Sequence, residues 1–244
     1  MMKFFIKFTC CLMLLVTSLV YAQEYVVDEK YDCLLEPSKV VNISSSVPGV
    51  LDKVAVDRGD YVKKGQILAT LKSSVEKAAV DLTRARADFT QRKAERYEDL
   101  YKKNLISIHE RDELATEART AQMELKEAEE LLKLRTIISP IDGVIIDRKN
   151  SSGEYVGFKP IMTLASMDPL NVEVIVPVEK FGKIKKGITA LVYPGEPIGG
   201  EHMANITIVD EVIDAASNTF GVRLELPNPE HKIPAGTNCR ILFP

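Results

Sequence analysis

The spacing of apolar residues in the middle of the chain predicts two α-helices. In two stretches apolar residues recur every three or four positions, which is the period of one helix face. The first seam is Ala78, Leu82, Ala85 and Phe89, and the second is Leu114, Ala118, Ala121, Leu125, Ala128 and Leu132. Ser73 with Glu76, and Ser107 with Glu110, predict a capping box at each helix start. We expect helices over about residues 74–103 and 108–134.

The short segment between these helices predicts an antiparallel helical hairpin. Only Asn104, Leu105 and Ile106 form the link, so the two helices should be neighbours. Alanines in both seams allow close approach. At 1.5 Å per residue, each helix would be roughly 40–45 Å long. The narrow seams favour a projecting hairpin over the alternative, a compact helical layer packed on a sheet.

An internal repeat with a constant offset of 94 residues flanks the hairpin. The clearest matching pairs are Gly49 with Gly143, Val50 with Val144, Gly59 with Gly153, Tyr61 with Tyr155, Val62 with Val156 and Ile67 with Ile161. Each copy consists of short apolar or alternating runs separated by glycine turns, which predicts strands. A repeat of two copies is not a solenoid. We therefore expect two equivalent β halves that form one small sandwich.

The distribution of glycine and proline supports the same division. The chain of 244 residues contains 13 Gly and 12 Pro, yet residues 66–139 contain neither. A uniform sandwich or barrel needs such turn residues throughout its length, so this gap marks the helical insert. After residue 166, five apolar runs alternate with Gly, Pro or Asn turns, at 170–176, 188–193, 204–212, 220–226 and 239–243. They predict a small antiparallel barrel or sandwich, to which residues 25–41 would add an edge strand.

The first 22 residues have the pattern of a secretory signal. Lys3 and Lys7 precede a mostly apolar stretch at 8–21, and Val20, Tyr21 and Ala22 resemble a cleavage site. We expect cleavage before Gln23 and export; an uncleaved membrane anchor is the alternative. The net charge of −3 provides no basic surface for nucleic acid.

Two cysteines, Cys33 and Cys239, remain after the predicted cleavage site. Thiols of exported proteins tend to oxidise, so a disulfide between them is one hypothesis. The other is that both are unpaired and buried as small apolar residues. The sequence leaves the two alternatives open, because a disulfide requires a close approach that only a structure can show.

Patterns typical of catalysis or cofactor binding are missing from the sequence. His109, His202 and His231 do not have metal-ligand spacing, and neither a phosphate-binding glycine loop nor a Gly-x-Ser-x-Gly elbow is present. Residues 75–78 have some likeness to a lipoyl attachment site, but Lys77 would lie inside a helix. We predict no enzyme activity, no cofactor and no metal.

The order of these segments, with three local motifs, resembles the periplasmic adaptor or membrane fusion protein family, which includes HlyD-like and RND-efflux adaptors. The motifs are Pro48-Gly49-Val50, the segment from Arg58 to Gln66, and Ser139-Pro140-Ile141-Asp142-Gly143-Val144. The resemblance implies a mainly β fold with an inserted α-helical hairpin. Its parts are a signal peptide at 1–22, an N-terminal segment at 23–41 that joins the barrel region, lipoyl-like (biotinyl-lipoyl-like) halves at 42–72 and 136–165, a coiled-coil hairpin at 73–135 and a β-barrel at 166–244.

The resemblance also implies partners. In that family the hairpin tip meets a TolC-like outer-membrane channel through the pattern Arg-x3-Leu-x6-Ser, which Arg96, Leu100 and Ser107 match. It further implies an inner-membrane transporter (RND type favoured, ABC type the alternative), a homo-oligomer ring, and a periplasmic location peripheral to the inner membrane. The barrel and residues 24–35 would contact the transporter.

Two other functions are alternatives. The first is a lipoyl or biotin carrier domain of an acyl-transfer enzyme, which needs a modified lysine and a cytosolic location. The predicted signal opposes it. The second is a coiled-coil spacer of the cell envelope that serves no transporter.

Overall fold

The computed structural model describes residues 29–244, and the predicted signal segment and cleavage site lie outside them. The described chain is mainly β with one inserted helical hairpin, as predicted. Its strands are β1 Lys30–Ser44, β2 Gly49–Val54, β3 Tyr61–Val62, β4 Ile67–Leu71, β5 Thr136–Ile138, β6 Gly143–Arg148, β7 Tyr155–Val156, β8 Pro160–Pro177, β9 Thr189–Pro194, β10 His202–Val209, β11 Thr219–Leu226 and β12 Asn238–Leu242. Its helices are α1 Ser74–Lys102 and α2 Ile108–Lys133, and a 3₁₀ turn spans Val178–Lys180.

Six antiparallel strands close into a barrel. The order is β1-β12-β9-β10-β11-β8, and β8 pairs again with β1. Side chains alternate between the core and solvent, as in β11, where Phe220, Val222, Leu224 and Leu226 are buried. The segment expected to form an edge strand therefore has a different place: β1 is paired on both sides and completes the barrel. Closure satisfies the backbone groups that an edge would leave open.

Strands β1 and β8 continue beyond the barrel. Their second pairing region, Lys39–Ser44 with Pro160–Ser166, belongs to the other β unit. The boundaries expected between residues 41 and 42 and between 165 and 166 thus fall inside continuous strands. The two β units share two strands and are joined by backbone hydrogen bonds rather than by a flexible linker.

The second β unit is the sandwich that the repeat predicts. A sheet of order β5-β4-β2-β7 faces β3, β6 and the extensions of β1 and β8 across a shared apolar core. The two repeat copies exchange their short strands: Tyr61 pairs with Val144, and Tyr155 pairs with Val50. Tyr61 and Tyr155 are equivalent positions of the repeat, as are Val50 and Val144, so the two strand pairs are equivalent as well. This exchange explains why two copies suffice, since each completes the sheet of the other.

The repeated glycines have local structural reasons. Gly59 and Gly153 have positive φ angles of 95° and 90°, which glycine adopts at little cost. A Cβ atom on Gly143 would lie 2.2 Å from the carbonyl oxygen of Ala165. Only glycine lets β6 approach β8 this closely.

The hairpin has the predicted helices and an antiparallel arrangement. The predicted seam of α2 is confirmed: Ala118, Ala121, Leu125 and Ala128 are buried, with Leu114 and Leu132 partly buried. The seam predicted for α1 is wrong, because Ala78, Leu82, Ala85 and Phe89 are all exposed. The residues that α1 buries are Val80, Ala87 and Thr90.

The rotation of α1 has a physical explanation. The two stripes of α1 have similar spacing, so periodicity alone does not choose between them. The buried stripe lets Arg86 pair with Glu124 at 3.0 Å and Lys93 with Glu117 at 3.2 Å across the hairpin. Thr90 is tolerated in the seam because its hydroxyl donates to the carbonyl oxygen of Arg86 at 3.0 Å.

The base of the hairpin is held by Arg135 rather than by the predicted capping box at Ser73. The Ser73 side chain makes no capping hydrogen bond. The Glu76 carboxylate instead accepts a bond of 2.6 Å from the Arg135 guanidinium, which also donates to the carbonyl oxygen of Pro48 at 3.0 Å. A charged pair that is mostly shielded from solvent thus fixes α1 to the sandwich.

In the part of the chain that the structure describes, neither long helix is apolar enough to cross a membrane.

Candidate functional site at the hairpin tip

A short ordered loop forms the tip of the hairpin. The amide N–H groups of Lys103 and Leu105 both donate to the carbonyl oxygen of Leu100, at 3.2 and 3.0 Å. Asn104 adopts a left-handed φ of 57°, a conformation that asparagine tolerates better than most residues. These bonds satisfy the carbonyl group of Leu100 at the end of α1. The tip is therefore a defined turn between two helices.

Apolar side chains are exposed at this tip. Leu105 is 66% exposed and Ile108 is 57% exposed. Beside them, Arg111 lies over the ring of Tyr101 at 4.6 Å and pairs with Asp112. Exposed apolar groups rimmed by charges are typical of protein-binding surfaces. Leu105 and Ile108 were not predicted as site residues from the sequence. The signal for them was present, because both are apolar residues at the short link between the two helices.

The three residues of the docking pattern lie around the same turn. Arg96 is exposed on α1 and Leu100, one turn further along, is partly buried. Within residues 29–244 the Arg96 side chain makes no ion pair or hydrogen bond. Ser107 is exposed on the other side of the loop, at the N-cap of α2. Arg96 is thus a free donor for carboxylates or carbonyl groups of a partner.

Ser107 already has a structural role. Its hydroxyl oxygen accepts from the N–H of Glu110 at 3.2 Å, and the Glu110 carboxylate accepts from the N–H and the hydroxyl of Ser107 at 2.9 and 2.8 Å. The predicted capping box is therefore confirmed. The Ser107 backbone N–H is the main reason that the pKa of Glu110 lies below its ordinary value. A contact with a partner has to be compatible with this cap.

An apolar stripe on the free side of α1 leads to Arg96. Leu82 is 73% exposed and Phe89 is 55% exposed. Val75, Leu82, Phe89 and Arg96 follow one another at intervals of seven residues, so they lie along one face of the helix. The stripe contains Leu82 and Phe89, two of the residues expected to face α2. Their periodicity indicates an interface, but within the hairpin no surface of α2 covers them.

These features match a known family. A family model described as a CzcB-like barrel-sandwich hybrid domain matches residues 39–165, more than half of the chain. The chain belongs to this family of membrane fusion proteins.

Relatives of this membrane fusion protein include efflux components. It is 23% identical over 218 residues to the multidrug/solvent efflux pump periplasmic linker protein MepA of Pseudomonas putida, covering 81% of this chain and 56% of that protein. It is 25% identical over 232 residues to the macrolide export protein MacA of Yersinia pestis, covering 80% and 62%. The chain thus spans just over half to about three-fifths of the length of these relatives.

The fold of this membrane fusion protein also has a close solved counterpart. A MacA–MexA chimeric protein, which contains the α-hairpin domain of MexA from Pseudomonas aeruginosa, aligns with a TM-score of 0.73. The two are 22% identical, and the alignment covers 87% of this chain and 80% of that chain. This likeness shows the fold.

The barrel end remote from the hairpin carries a second surface. β1 begins there and runs towards the sandwich, and a cavity of about 280 Å³ lies beside its start. Lys180, Lys183 and Lys185 line this cavity together with Ile184 and Phe243. Glu29 pairs with Lys180 at 2.8 Å, which lowers the pKa of Glu29 and raises that of Lys180. The result is a basic rim over an apolar floor.

A disulfide joins the first and last strands of the barrel. Cys33 and Cys239 lie directly opposite each other on β1 and β12, with an Sγ–Sγ distance of 2.13 Å and a Cα–Cα distance of 4.8 Å. Both residues are buried in the barrel core. The bond connects residues that are 206 positions apart, so it ties the two ends of the described chain together.

The residues considered for cofactor or metal chemistry are dispersed. Lys77 is exposed within the first turn of α1, whereas a lipoyl group requires a lysine at a β-turn. His109 lies in α2 and His202 in β10, and His231 packs against Tyr61 with ring centroids 4.8 Å apart. In the described residues no three His, Cys, Asp or Glu side chains are grouped as a metal site.

Proposed function

We propose that this membrane fusion protein is a periplasmic adaptor of a tripartite efflux or secretion system. Its hairpin tip would bind a TolC-like outer-membrane channel, and its barrel would bind an inner-membrane transporter. The observation that carries this proposal is the hairpin itself. It projects from a split sandwich and ends in exposed Leu105 and Ile108. Arg96, in the last two turns of α1, has no ion-pair partner within the described chain. The names of the relatives support a role in efflux.

The dimensions suit a bridging role. At 1.5 Å per residue, the 29 residues of α1 extend about 43 Å. The barrel and the sandwich share β1, whose 15 residues extend about 50 Å at 3.4 Å each. The surfaces at the two ends are therefore far apart. The protein would act by binding a partner at each end and not by catalysis. We propose export to the periplasm and a location peripheral to the inner membrane, with no cofactor.

The remote barrel end is our candidate for the transporter contact. Its basic rim of Lys180, Lys183 and Lys185 would meet acidic side chains, and the apolar floor would accept an apolar side chain. An RND-type transporter is favoured, as the family resemblance of the sequence implies. An ABC-type transporter is the alternative. We further propose that several copies stand side by side around the channel.

Point variants at the tip test the docking claim. Arg96→Glu and Leu100→Glu should each weaken channel binding roughly 30-fold, the cost of about 2 kcal/mol for a central interface residue. The matched control is Lys103→Glu, which changes an exposed charge in the same loop outside the docking pattern. Binding is measured with the purified channel, and efflux as drug resistance restored to a strain that lacks the gene. Resistance at the parent level in all three variants would contradict docking through Arg96 and Leu100.

Two substitutions of Ser107, tested in the same binding assay, separate its role in capping α2 from its proposed contact with the channel. Ser107→Ala removes the cap and should destabilise the start of α2 by about 1 kcal/mol. Ser107→Asn supplies another good capping side chain but removes the hydroxyl. Loss of channel binding in both variants supports a contact through the hydroxyl. Normal binding with Asn limits Ser107 to capping.

A further inference from the structure

The cavity of about 280 Å³ at the barrel end remote from the hairpin has an apolar floor. Its wall comes from β1, β10, β12 and the connection between β8 and β9, and its apolar side chains are Ile184, Ile188, Ile206, Leu242 and Phe243. Ile184 and Ile206 are buried members of the barrel core, and Ile188 and Phe243 pack against that core. The floor is therefore the end of the barrel core, and the mouth of a β-barrel is a common place for a small ligand.

Tyr31 gives this cavity a polar group without a partner. Its ring packs against Phe243, with the ring centroids 5.8 Å apart. Its hydroxyl oxygen is buried and has no hydrogen-bond partner in the described chain. Burial is the main reason that the pKa of Tyr31 is raised, and the neighbouring Glu29 adds to this effect. The hydroxyl therefore stays protonated, and a ligand that brings an acceptor would remove the cost of leaving this donor unpaired.

The lysines around the cavity supply positive charge. Lys180, Lys183 and Lys185 all line it. Lys180 is paired with Glu29 at 2.8 Å, whereas Lys183 and Lys185 are exposed and make no ion pair within residues 29–244. Among the described lining residues, Glu29 is the one acidic side chain. The groups that remain available are all hydrogen-bond donors, so they favour an anionic acceptor and disfavour a cation.

The volume of the cavity limits the size of the ligand. A water molecule occupies about 30 Å³ in the liquid, so 280 Å³ corresponds to roughly nine or ten heavy atoms. Octanoate, a medium-chain carboxylate, has this size, whereas a phospholipid with two acyl chains is much larger. Its carboxylate can accept charge-assisted hydrogen bonds while its chain covers the apolar floor.

We propose that this cavity binds a small anionic amphiphile, namely a carboxylate with a medium-length alkyl chain. The carboxylate accepts from the Tyr31 hydroxyl and from the ammonium groups of Lys183 and Lys185. The chain lies on the floor formed by Ile184, Ile188 and Ile206. Each part of the ligand thus meets a group that the barrel end leaves without a partner or without cover.

The ligand occupies the barrel end at which we place the transporter contact. An alkyl chain on the floor excludes an apolar side chain of the transporter from the same space, so the ligand should compete with the transporter. This competition rests on the proposed function. The binding of the ligand does not, because it requires only residues of this chain.

Calorimetric titration of the purified chain with octanoate tests the proposal. The parent chain should bind one octanoate. Octanol, which lacks the charge, and acetate, which lacks the chain, should each bind at least tenfold more weakly. Tyr31→Phe removes only the hydroxyl and should weaken octanoate binding about tenfold, as should the double variant Lys183→Gln with Lys185→Gln.

Two controls separate ligand binding from general effects. Lys186→Gln removes a neighbouring charge in the same connection, but Lys186 lines a different groove beside Phe181 and Ile208, so octanoate binding should be unchanged. Tyr31→Phe should leave the midpoint of thermal unfolding of the free chain at or above the parent value, because its hydroxyl has no partner there. Weaker binding by this variant then reflects the lost hydroxyl and not a damaged barrel.

The proposal is overturned if octanoate does not saturate the chain at millimolar concentrations, if octanol binds equally well, or if the Tyr31 and lysine variants bind like the parent. Binding to vesicles of anionic phospholipid without binding of octanoate would also overturn it, in favour of a membrane surface. The transporter contact is measured separately, with purified transporter and no octanoate. Saturating octanoate should weaken that contact, and an unchanged affinity would overturn the competition.

Discussion

Replacing residues 94–116 with a short Gly-Asn-Gly loop is expected to abolish efflux. The replacement removes Arg96, Leu100, Ser107 and the exposed apolar tip together. It ends the shortened hairpin at Lys93 and Glu117, which are paired at 3.2 Å in the full-length protein. The cores of the barrel and of the sandwich consist of other residues. We therefore expect a folded, exported protein that no longer reaches its channel.

This replacement is measured as drug resistance in a strain that lacks the chromosomal gene, together with the amount of protein in the periplasm. Resistance should fall to the level of the empty strain while the protein level stays normal. Asn104→Gly is the matched control, because glycine readily adopts the left-handed conformation of Asn104. Full resistance with the shortened hairpin would show that efflux does not need the tip.

Removing the disulfide should lower the free energy of unfolding by about 2–4 kcal/mol. The bond joins residues 206 positions apart, so it restricts nearly the whole described chain in the unfolded state. The test is guanidinium denaturation of the parent chain and of the double variant Cys33→Ala with Cys239→Ala, each with and without reductant. Reductant should destabilise the parent chain and leave the variant unchanged.

Intact mass is the control for this prediction. Reduction of the exported protein should add the mass of two hydrogen atoms. No mass change, or equal unfolding midpoints for the parent chain in the oxidised and reduced states, would contradict a stabilising bond between Cys33 and Cys239.

Local sequence patterns predicted much of the fold because they reflect interactions between residues that are close in the sequence. The cap at Ser107 is complete within four residues, and both of its hydrogen bonds form as expected. The strand exchange between repeat copies follows from their constant offset, since equivalent sequences make equivalent contacts. The absence of Gly and Pro marked the helical insert because turns require these residues.

Errors arose where distant residues decide the structure. Glu76 was expected to cap its own helix but binds Arg135, which is 59 positions away. β1 closes the barrel because β8 and β12 both pair with it, and strand partners are not encoded in the pattern of a single strand. The seam of α1 was misplaced because the helix has two stripes of similar spacing. The stripe that is buried packs Val80 and Ala87 against α2 and also allows the ion pairs between the helices.

The candidate site was predicted in part. Arg96, Leu100 and Ser107 came from a family pattern, and their position around one turn agrees with a tip contact. Leu105 and Ile108 were missed, because the pattern specifies spacing and not exposure. The apolar stripe was recognised as an interface but given the wrong partner. Periodicity shows that a helix face is to be covered, not which surface covers it.

The most direct measurement of the central claim is photo-cross-linking in living cells. A photo-reactive residue is placed at Leu105 on the tip and, as a control, at Met203, which is similarly exposed on the barrel. The adaptor function predicts a covalent adduct between position 105 and an outer-membrane channel, identified by mass spectrometry, and none with that channel from position 203. The absence of a channel adduct at position 105, in cells where the protein restores efflux, would contradict docking at the tip.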